Sequence, residues 1–369
     1  MTVVLTRYLY FLDECFYSLM IALISKESFE EVVFWAGEIY YSGFQEKLWN
    51  HLWKIYYDFY AIKFPKYEKK INKMSKNKNT IESFIYVLNL LYYSAINYDV
   101  FVLRMSNFKL PVHIYIGRHP NWLKQLKLKK NEKLLIRSIH DKRWGNIKYY
   151  LKFFEDDLNR CYDIIKLYFH KIHNYPLKAK NLNDINYADK KHIIMALICH
   201  LLIDEENIQR KTIFRKLDKN IVDSEINFNE EEISPLYKTL VYKRKYAVSQ
   251  FIGAFKLKRD SIPNIDYKDI LRLYWDYFAY NSPLWKARIK AQNGKPIDFP
   301  NKYCLEFSSD DDEETFYELY NYEPDEQTLD VQEKSIGIID IDKGKQWLNM
   351  IRNNSKYKWA NKAKWNNVY

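Results

Sequence analysis

The residues of this sequence with the clearest chemical potential are clustered lysines and arginines that have tryptophans beside them. The stretch 118–143 carries nine Lys and Arg residues against two carboxylates; Trp122 lies inside it and Trp144 directly follows it. Cationic side chains neutralise phosphates and exposed aromatic rings stack on bases, so this composition is typical of a nucleic-acid-binding surface. The alternative is a solvated helix face in a Lys-rich chain. The candidate residues are Arg118, Lys124, Lys127, Lys129, Lys130, Lys133, Arg137, Arg143, Trp122 and Trp144, with a further cluster at Lys243, Arg244 and Lys245.

A second chemical signal is one long acidic segment. From Cys304 to Glu333 there are twelve carboxylates and no Lys or Arg, while the whole chain has a formal net charge of +11, so the other 339 residues carry +23. Acidic charge interleaved with aromatic residues is typical of a segment that docks on a basic partner. The same segment could instead fold back on the basic part of this chain and compete with nucleic acid, or serve only as a linker. The protein-docking candidates are Phe316, Tyr317, Leu319, Tyr320 and Tyr322.

Catalytic and cofactor-binding signals are missing from the sequence. The chain has only eight glycines and contains no G-x-G-x-x-G, G-x-x-x-x-G-K-[ST] or G-x-S-x-G motif, which nucleotide sites and nucleophile elbows require. Its four cysteines form no C-x-x-C pair, which argues against a disulfide framework or a zinc site and favours reduced, intracellular thiols. Histidines and paired carboxylates show no spacing that favours catalysis. We therefore predict that the protein is not an enzyme and has no catalytic residues, metal or cofactor.

The elements that must position these residues are helices, because apolar residues recur mainly at helical spacing. Ser28 and Glu31 form a capping-box pattern at the start of one helix, and Gly43 follows its end. The sequence predicts an all-α protein, built as an irregular HEAT-like array of helical hairpins. The predicted helices cover residues 5–26, 29–42, 45–65, 80–95, 131–141, 144–154, 158–173, 188–203, 206–218, 234–255, 267–293 and 345–351, with a polar basic connector at 66–79.

Two regions depart from the helical pattern. Short β-branched runs at 100–103 and 112–116 predict a small hairpin or extended crossover around 99–118, and the acidic extension is predicted to be irregular, with a short strand at 336–341 after it. These changes divide the chain into helical hairpins at 1–98, a basic helical body at 99–295, an acidic, aromatic-containing extension at 296–335 and a short basic end at 336–369. No apolar run reaches about 18 residues, so we predict no membrane span and a soluble protein.

Three stretches of the sequence carry a resemblance to a known family. They are residues 34–44 (FWAGEIYYSGF), 114–123 (IYIGRHPNWL) and 317–327 (YELYNYEPDEQ). Together they resemble an α-helical protein family of large nucleocytoplasmic (giant) DNA viruses whose function is not assigned. The resemblance implies a viral protein located in the reducing cytoplasm of an infected host cell, where the viral factory is one candidate location. It assigns no functional residues.

A basic helical body with an appended partner-binding segment is also similar, in architecture alone, to the middle domain of eukaryotic translation-initiation scaffolds. Those domains hold a DEAD-box RNA helicase and RNA. We therefore expect a non-enzymatic viral scaffold or adaptor that joins protein partners, such as an RNA helicase or a cap-binding factor, with RNA or another nucleic acid. The alternatives are a virion structural or genome-packaging protein and an enzyme with an unrecognised helical active site, because a fold alone does not fix a function.

Overall fold

The computed structural model of this chain describes residues 3–77, 80–178, 180–203, 208, 212–230, 236, 240, 255, 257, 262, 265–297, 303–320, 322, 327–336, 343–360 and 364–365. Over these residues the structure is mainly helical, as the sequence predicts. Most of the predicted helix at 234–255 lies outside the described residues, and so do the candidates Lys243, Arg244 and Lys245.

The N-terminal part is built from α1 (Leu12–Ser25), α2 (Phe29–Tyr41), α3 (Gln45–Phe59), α4 (Tyr67–Asn77), α5 (Ile81–Tyr92) and α6 (Asp99–Met105). Ser28 caps α2, because its side chain accepts a hydrogen bond from the Glu31 N–H, which confirms the predicted start of this helix. α2 packs against α1, α3 and α5, so the early helices share one core.

The helices that follow are α7 (Asn121–Gln125), α8 (Lys130–His140), α9 (Trp144–Tyr150), α10 (Leu158–His173), α11 (Lys190–Leu202) and α12 (Lys219–Glu230). After them come α13 (Tyr267–Leu273), α14 (Trp275–Ala279), α15 (Pro283–Ala291), α16 (Asp310–Tyr320), α17 (Leu329–Ile336) and α18 (Lys343–Asn353). Short 3-10 helices lie at Leu151–Phe154, Leu182–Asp184 and Ser355–Tyr357.

Two antiparallel strand pairs complete the described structure. β1 (Ser106–Asn107) pairs with β4 (Lys364–Trp365), with Ser106 opposite Trp365. β2 (Lys295–Pro296) pairs with β3 (Leu305–Glu306), with Lys295 opposite Glu306. β1 and β4 lie far apart in the sequence, whereas eight residues separate β2 from β3. Both pairs are too short to form a sheet with its own core.

Two stretches predicted to be non-helical contain helices. The basic connector at 66–79 contains α4, in which Tyr67 and Ile71 are buried while Lys69 and Lys73 are exposed. The β-branched run at 100–103 lies in α6 and is buried throughout, because packing among neighbouring helices outweighs a weak intrinsic preference for strands. The predicted crossover at 99–118 is therefore wrong in its first half. Beyond β1, residues 108–120 form no helix or strand, as expected for an extended segment.

The acidic extension is also not irregular, because α16 occupies its centre. Predicted boundaries differ elsewhere too. α1 begins at Leu12 rather than at residue 5, since Leu5 and Phe11 form an isolated antiparallel bridge. The single helix predicted at 267–293 is three helices, the last capped by the Ser282 side chain. Residues 212–218 are not helical. Ile336 ends α17, and the rest of the strand predicted at 336–341 lies outside the described residues.

The C-terminal helices close the same core. The Trp285 indole N–H donates to the carbonyl oxygen of Thr6 at 2.8 Å, which attaches α15 to the N-terminal stretch. The ring of Trp347 in α18 packs edge-on against Phe59 and Phe101, with centroids 5.4 and 4.9 Å away. Burial of such aromatic rings supplies large apolar areas, so the two ends of the chain stabilise each other.

A buried charge cluster, formed by Asp58, Arg104 and His192, links three helices inside this core. Arg104 donates hydrogen bonds to both oxygens of the Asp58 carboxylate, from Nε to Oδ1 at 2.8 Å and from Nη2 to Oδ2 at 2.7 Å. His192 Nε2 lies 2.9 Å from Asp58 Oδ1, and its Nδ1 hydrogen-bonds with the Tyr187 hydroxyl at 3.0 Å. Burial alone would raise the pKa of Asp58, but Arg104 and His192 hold that pKa well below its ordinary value. The charge cluster fixes the positions of α3, α6 and α11 relative to one another.

We expect Asp58→Ala to destabilise the protein by about 3–5 kcal/mol, because it leaves the Arg104 guanidinium buried and unpaired. The double change Asp58→Leu with Arg104→Met should recover most of that loss, since it removes both charges and keeps apolar volume. Urea unfolding followed by circular dichroism measures both values.

The matched control is Asp330→Ala, which breaks the exposed pair between Lys334 Nζ and Asp330 Oδ2 at 2.9 Å in α17. This surface pair should contribute less than about 1 kcal/mol. Equal losses for Asp58→Ala and Asp330→Ala would contradict the structural role of the charge cluster.

Candidate nucleic-acid interface

α7 and α8 present the predicted nucleic-acid residues because their apolar side chains turn inward. Leu123 in α7 and Leu135, Ile136 and Ile139 in α8 are fully buried. α8 begins cleanly because the Lys129 N–H donates to the carboxylate of Glu132 at 2.8 Å. Helical geometry then places the intervening lysines on the opposite, solvent-facing side.

The basic face comprises eight of the predicted residues. Arg118, Lys124, Lys127, Lys129, Lys130 and Arg143 are exposed, and Lys133 and Arg137 are half-buried. The two carboxylates within 118–143, Glu132 and Asp141, neutralise little of the positive charge of the basic face. Glu132 is buried and accepts hydrogen bonds from Arg160 Nε and Nη2 at 2.8 and 3.1 Å, which lower its pKa. Asp141 lies 3.9 Å from Arg137 Nε, at the limit of an ion pair. The basic face therefore keeps a strong positive potential.

Two nitrogen atoms at the basic face are buried and have no hydrogen-bond partner among the described residues, Arg137 Nη1 and His119 Nδ1. The Arg137 guanidinium is held over the Tyr115 ring, 4.2 Å from its centroid. Burial, followed by the positive charges of Arg137, Lys133 and Lys124, lowers the pKa of His119. A buried Arg137 nitrogen without an acceptor is costly, and His119 Nδ1 becomes a second donor when that nitrogen carries a proton, so an anionic oxygen bound here would accept hydrogen bonds from both groups.

The two tryptophans of the cluster pack against the protein rather than standing free. The half-buried Trp122 ring lies 4.6 Å from the His140 ring and 5.7 Å from the Tyr168 ring. The Tyr168 hydroxyl hydrogen-bonds with His140 Nδ1 at 2.9 Å and with His173 Nε2 at 2.7 Å, which fixes these rings together. Trp144 is half-buried and stacks with Trp359 at 6.4 Å. Each tryptophan thus has a structural partner at one of its faces.

The acidic helix, α16, lies against the body of the same chain. Phe316 is fully buried and stacks on Trp275 at 6.0 Å, and the Tyr317 hydroxyl donates to Asp276 Oδ2 at 2.8 Å. The Arg288 guanidinium lies 4.8 Å from the Tyr320 ring. Burial raises the pKa of Asp276, and the hydrogen bond from Tyr317 opposes that rise.

The docking candidates therefore divide into two groups. Phe316 and Tyr322 are buried, and Tyr317 and Tyr320 are half-buried against their own chain, so an aromatic docking surface is not free in this conformation. Leu319 remains exposed among outward-facing carboxylates. The sequence alternative in which the segment folds back on its own body matches this geometry. The acidic helix is accessible through its carboxylates, and its aromatic side anchors it.

The described residues contain no group of three or more His, Cys, Asp or Glu side chains arranged to hold a metal ion. Burial raises the pKa of the Cys15, Cys161 and Cys199 thiols, which disfavours the reactive thiolate form. Among the described helices, none is both long and apolar enough to cross a bilayer.

Neither the charge cluster nor the position of His119 at the basic face was identified from the sequence. The members of the charge cluster are separated by 46 residues and more, and no local spacing brings them together. His119 did have a signal, because it immediately follows Arg118 at the start of the basic run.

Comparison with protein-family models, with curated proteins and with solved structures gives no significant match for this chain. The viral family and the translation-scaffold architecture therefore stay predictions from the sequence.

We expect Trp122→Ala to lower the free energy of unfolding by about 2 kcal/mol, because it removes a half-buried ring that packs on His140 and Tyr168. The affinity for a labelled RNA at low salt should change by less than about twofold. If Trp122 stacked on a base, its removal would instead cost about 1–3 kcal/mol of binding free energy. Urea unfolding and fluorescence anisotropy give the two values. Unchanged stability together with a tenfold loss of RNA affinity would show that Trp122 stacks on bases instead.

Proposed function

We propose that this chain is a non-enzymatic scaffold whose basic face binds the phosphate backbone of RNA and whose other surfaces hold protein partners. The observation that carries the proposal is the pair of buried, unsatisfied nitrogens of Arg137 and His119 at the basic face. A solvated helix face explains exposed lysines, which need no partner, but it does not explain a buried guanidinium nitrogen without an acceptor. A phosphate oxygen would accept from Arg137, and from His119 once its Nδ1 is protonated.

The distribution of charge supports an extended polyanion over a single small anion. α8 is an 11-residue helix, about 16 Å long at 1.5 Å per residue, and lysines lie before it, on it and at its end. Phosphates along a nucleic-acid strand recur every few ångströms, so several can be neutralised at once. Contacts of this kind position a backbone without reading its sequence. We place RNA before DNA because of the architectural similarity to translation-initiation scaffolds.

The protein-binding part of the proposal uses the acidic helix. Asp310, Asp311, Glu313, Glu314 and Glu318 are exposed on α16, which contains no Lys or Arg. This helix is fixed by its buried aromatic side, so it offers a preformed negative surface to a basic partner. In the most concrete version the partner is an RNA helicase or a cap-binding factor, and the chain acts in the manner of a translation-initiation scaffold.

We expect the triple change Lys124→Gln, Lys127→Gln and Lys130→Gln to weaken binding of a single-stranded RNA by at least tenfold at low salt. The slope of log affinity against log salt should fall by about 2, because each lost phosphate contact removes about 0.7 from it. Fluorescence anisotropy across a salt series gives both values.

The control is the triple change Lys216→Gln, Lys219→Gln and Lys290→Gln, which removes the same charge from exposed lysines elsewhere. It should leave the salt slope almost unchanged. No RNA binding by the unaltered chain, or equal losses in the two triple variants, would contradict the proposal.

RNA binding should also strengthen as the pH falls through the pKa that His119 has in the complex. The pKa of His119 is lowered in the free protein, whereas a phosphate beside the ring would favour the protonated form and raise that pKa. The complex then takes up a proton that the free protein does not hold, so affinity rises as the pH falls through the pKa of the bound state.

His119→Asn keeps a hydrogen-bonding side chain but cannot titrate, so its affinity should vary much less with pH. NMR titration of the His119 ring with and without inorganic phosphate measures the same effect directly. A His119 pKa that does not rise when phosphate is added would contradict contact with the anion.

A further inference from the structure

A row of apolar side chains projects from the irregular segment between β1 and α7. Leu110, Ile114 and Ile116 are 74%, 72% and 89% exposed, and Val112 is 47% exposed. These four residues, which we call the apolar row, alternate with other residues, as side chains on one side of an extended chain do. Single exposed apolar residues are ordinary, but a contiguous patch of them marks an interaction site.

The residues between them anchor the segment to the protein. The buried Asn146 side chain accepts a hydrogen bond from the His113 N–H at 2.8 Å and donates one to the His113 carbonyl oxygen at 2.6 Å. The Tyr115 ring lies beneath the Arg137 guanidinium, and its hydroxyl is 3.5 Å from Ser138 Oγ. The apolar row is thus held outward by fixed contacts to α8 and α9.

Val112 marks where the segment touches the body. A side chain at Gly145 would place its Cβ 2.4 Å from Val112 Cγ2, so only glycine permits this close approach at the start of α9. The fit explains why Val112 is less exposed than the other members of the row. It leaves Leu110, Ile114 and Ile116 as the projecting side chains.

The surroundings of the apolar row are positively charged. Lys109 and Arg118 are exposed at its two ends, and Lys142 and Arg143 are exposed beside Gly145. Residues 100–131 contain no Asp or Glu, and Asp141, whose carboxylate interacts with Tyr115, offsets only one of these positive charges. Projecting apolar side chains with a cationic rim complement the interface of a bilayer that contains anionic lipids.

We propose that the apolar row and its basic rim form a peripheral membrane-binding site for anionic lipid surfaces. Leu110, Ile114 and Ile116 enter the boundary between headgroups and acyl chains, and Lys109 and Arg118 pair with lipid phosphates and carboxylates. Apolar insertion and electrostatic attraction act together here, and stable peripheral binding requires such a combination. The site does not depend on the proposed RNA binding, because its specific part is the apolar row.

The test is co-sedimentation of the full chain with vesicles of phosphatidylcholine alone or with 30% phosphatidylserine. Ile114→Ser with Ile116→Ser removes two projecting side chains without changing the charge. Leu273→Ser with Leu329→Ser is the matched control, since these leucines are 63% and 79% exposed elsewhere on the chain. We expect the unaltered chain and the control to bind the anionic vesicles at least tenfold more tightly than the neutral ones.

The Ile114→Ser, Ile116→Ser variant should lose at least tenfold in affinity for the anionic vesicles, while its thermal unfolding and its RNA affinity stay unchanged. That pattern also separates this proposal from the RNA proposal, because each can fail while the other stands. The membrane site would be overturned by absence of binding to anionic vesicles or by equal binding of the two double variants. If the unaltered chain is a dimer and this variant is a monomer that still binds vesicles, the membrane site is overturned as well. The apolar row would then be assigned to self-association.

Discussion

The interaction on which the rest of the structure depends is the buried contact between Asp58 and Arg104. Taking two charges out of water is costly, and only a close, bidentate geometry with further hydrogen bonds offsets that cost. His192 and Tyr187 complete the hydrogen bonding on one side. At Arg104, Lys148 Nζ donates a hydrogen bond to the backbone carbonyl oxygen at 3.1 Å, which connects α9 to α6. The Asp58 carboxylate thus joins α3, α6 and α11, and the Arg104 backbone joins α9 to them.

The surface features follow from these positions. α9 carries Lys148 on its buried side, and the same short helix carries Asn146, which anchors the backbone of His113. α8 directly precedes α9, so the basic face and the apolar row both rest on elements that the charge cluster fixes. The acidic helix is attached elsewhere, to Trp275 and Arg288, by aromatic and cation–π contacts. Positive and negative charge are thereby held on different elements of one chain.

The sequence predicted well those features that depend on neighbouring residues. α10 has the predicted boundaries of 158–173, and the Ser28 cap of α2 is where the capping-box pattern placed it. The lysines of α7 and α8 are solvent-facing because their spacing against buried leucines decides that locally. α6 could not be predicted, because Val100 and Val102 favour strands and only burial among other helices overrides that preference. The Asp58–Arg104 and Tyr317–Asp276 contacts join residues distant in the sequence, so no local pattern contains them.

We propose that the basic face is the surface on which a polyanion binds. Amide hydrogen exchange followed by mass spectrometry, with and without a saturating single-stranded RNA, tests it most directly because it locates binding without any substitution. We expect slower exchange in peptides that cover 118–143 and unchanged exchange in α13 and in the acidic helix. Protection confined to other segments, or no protection at all, would contradict it.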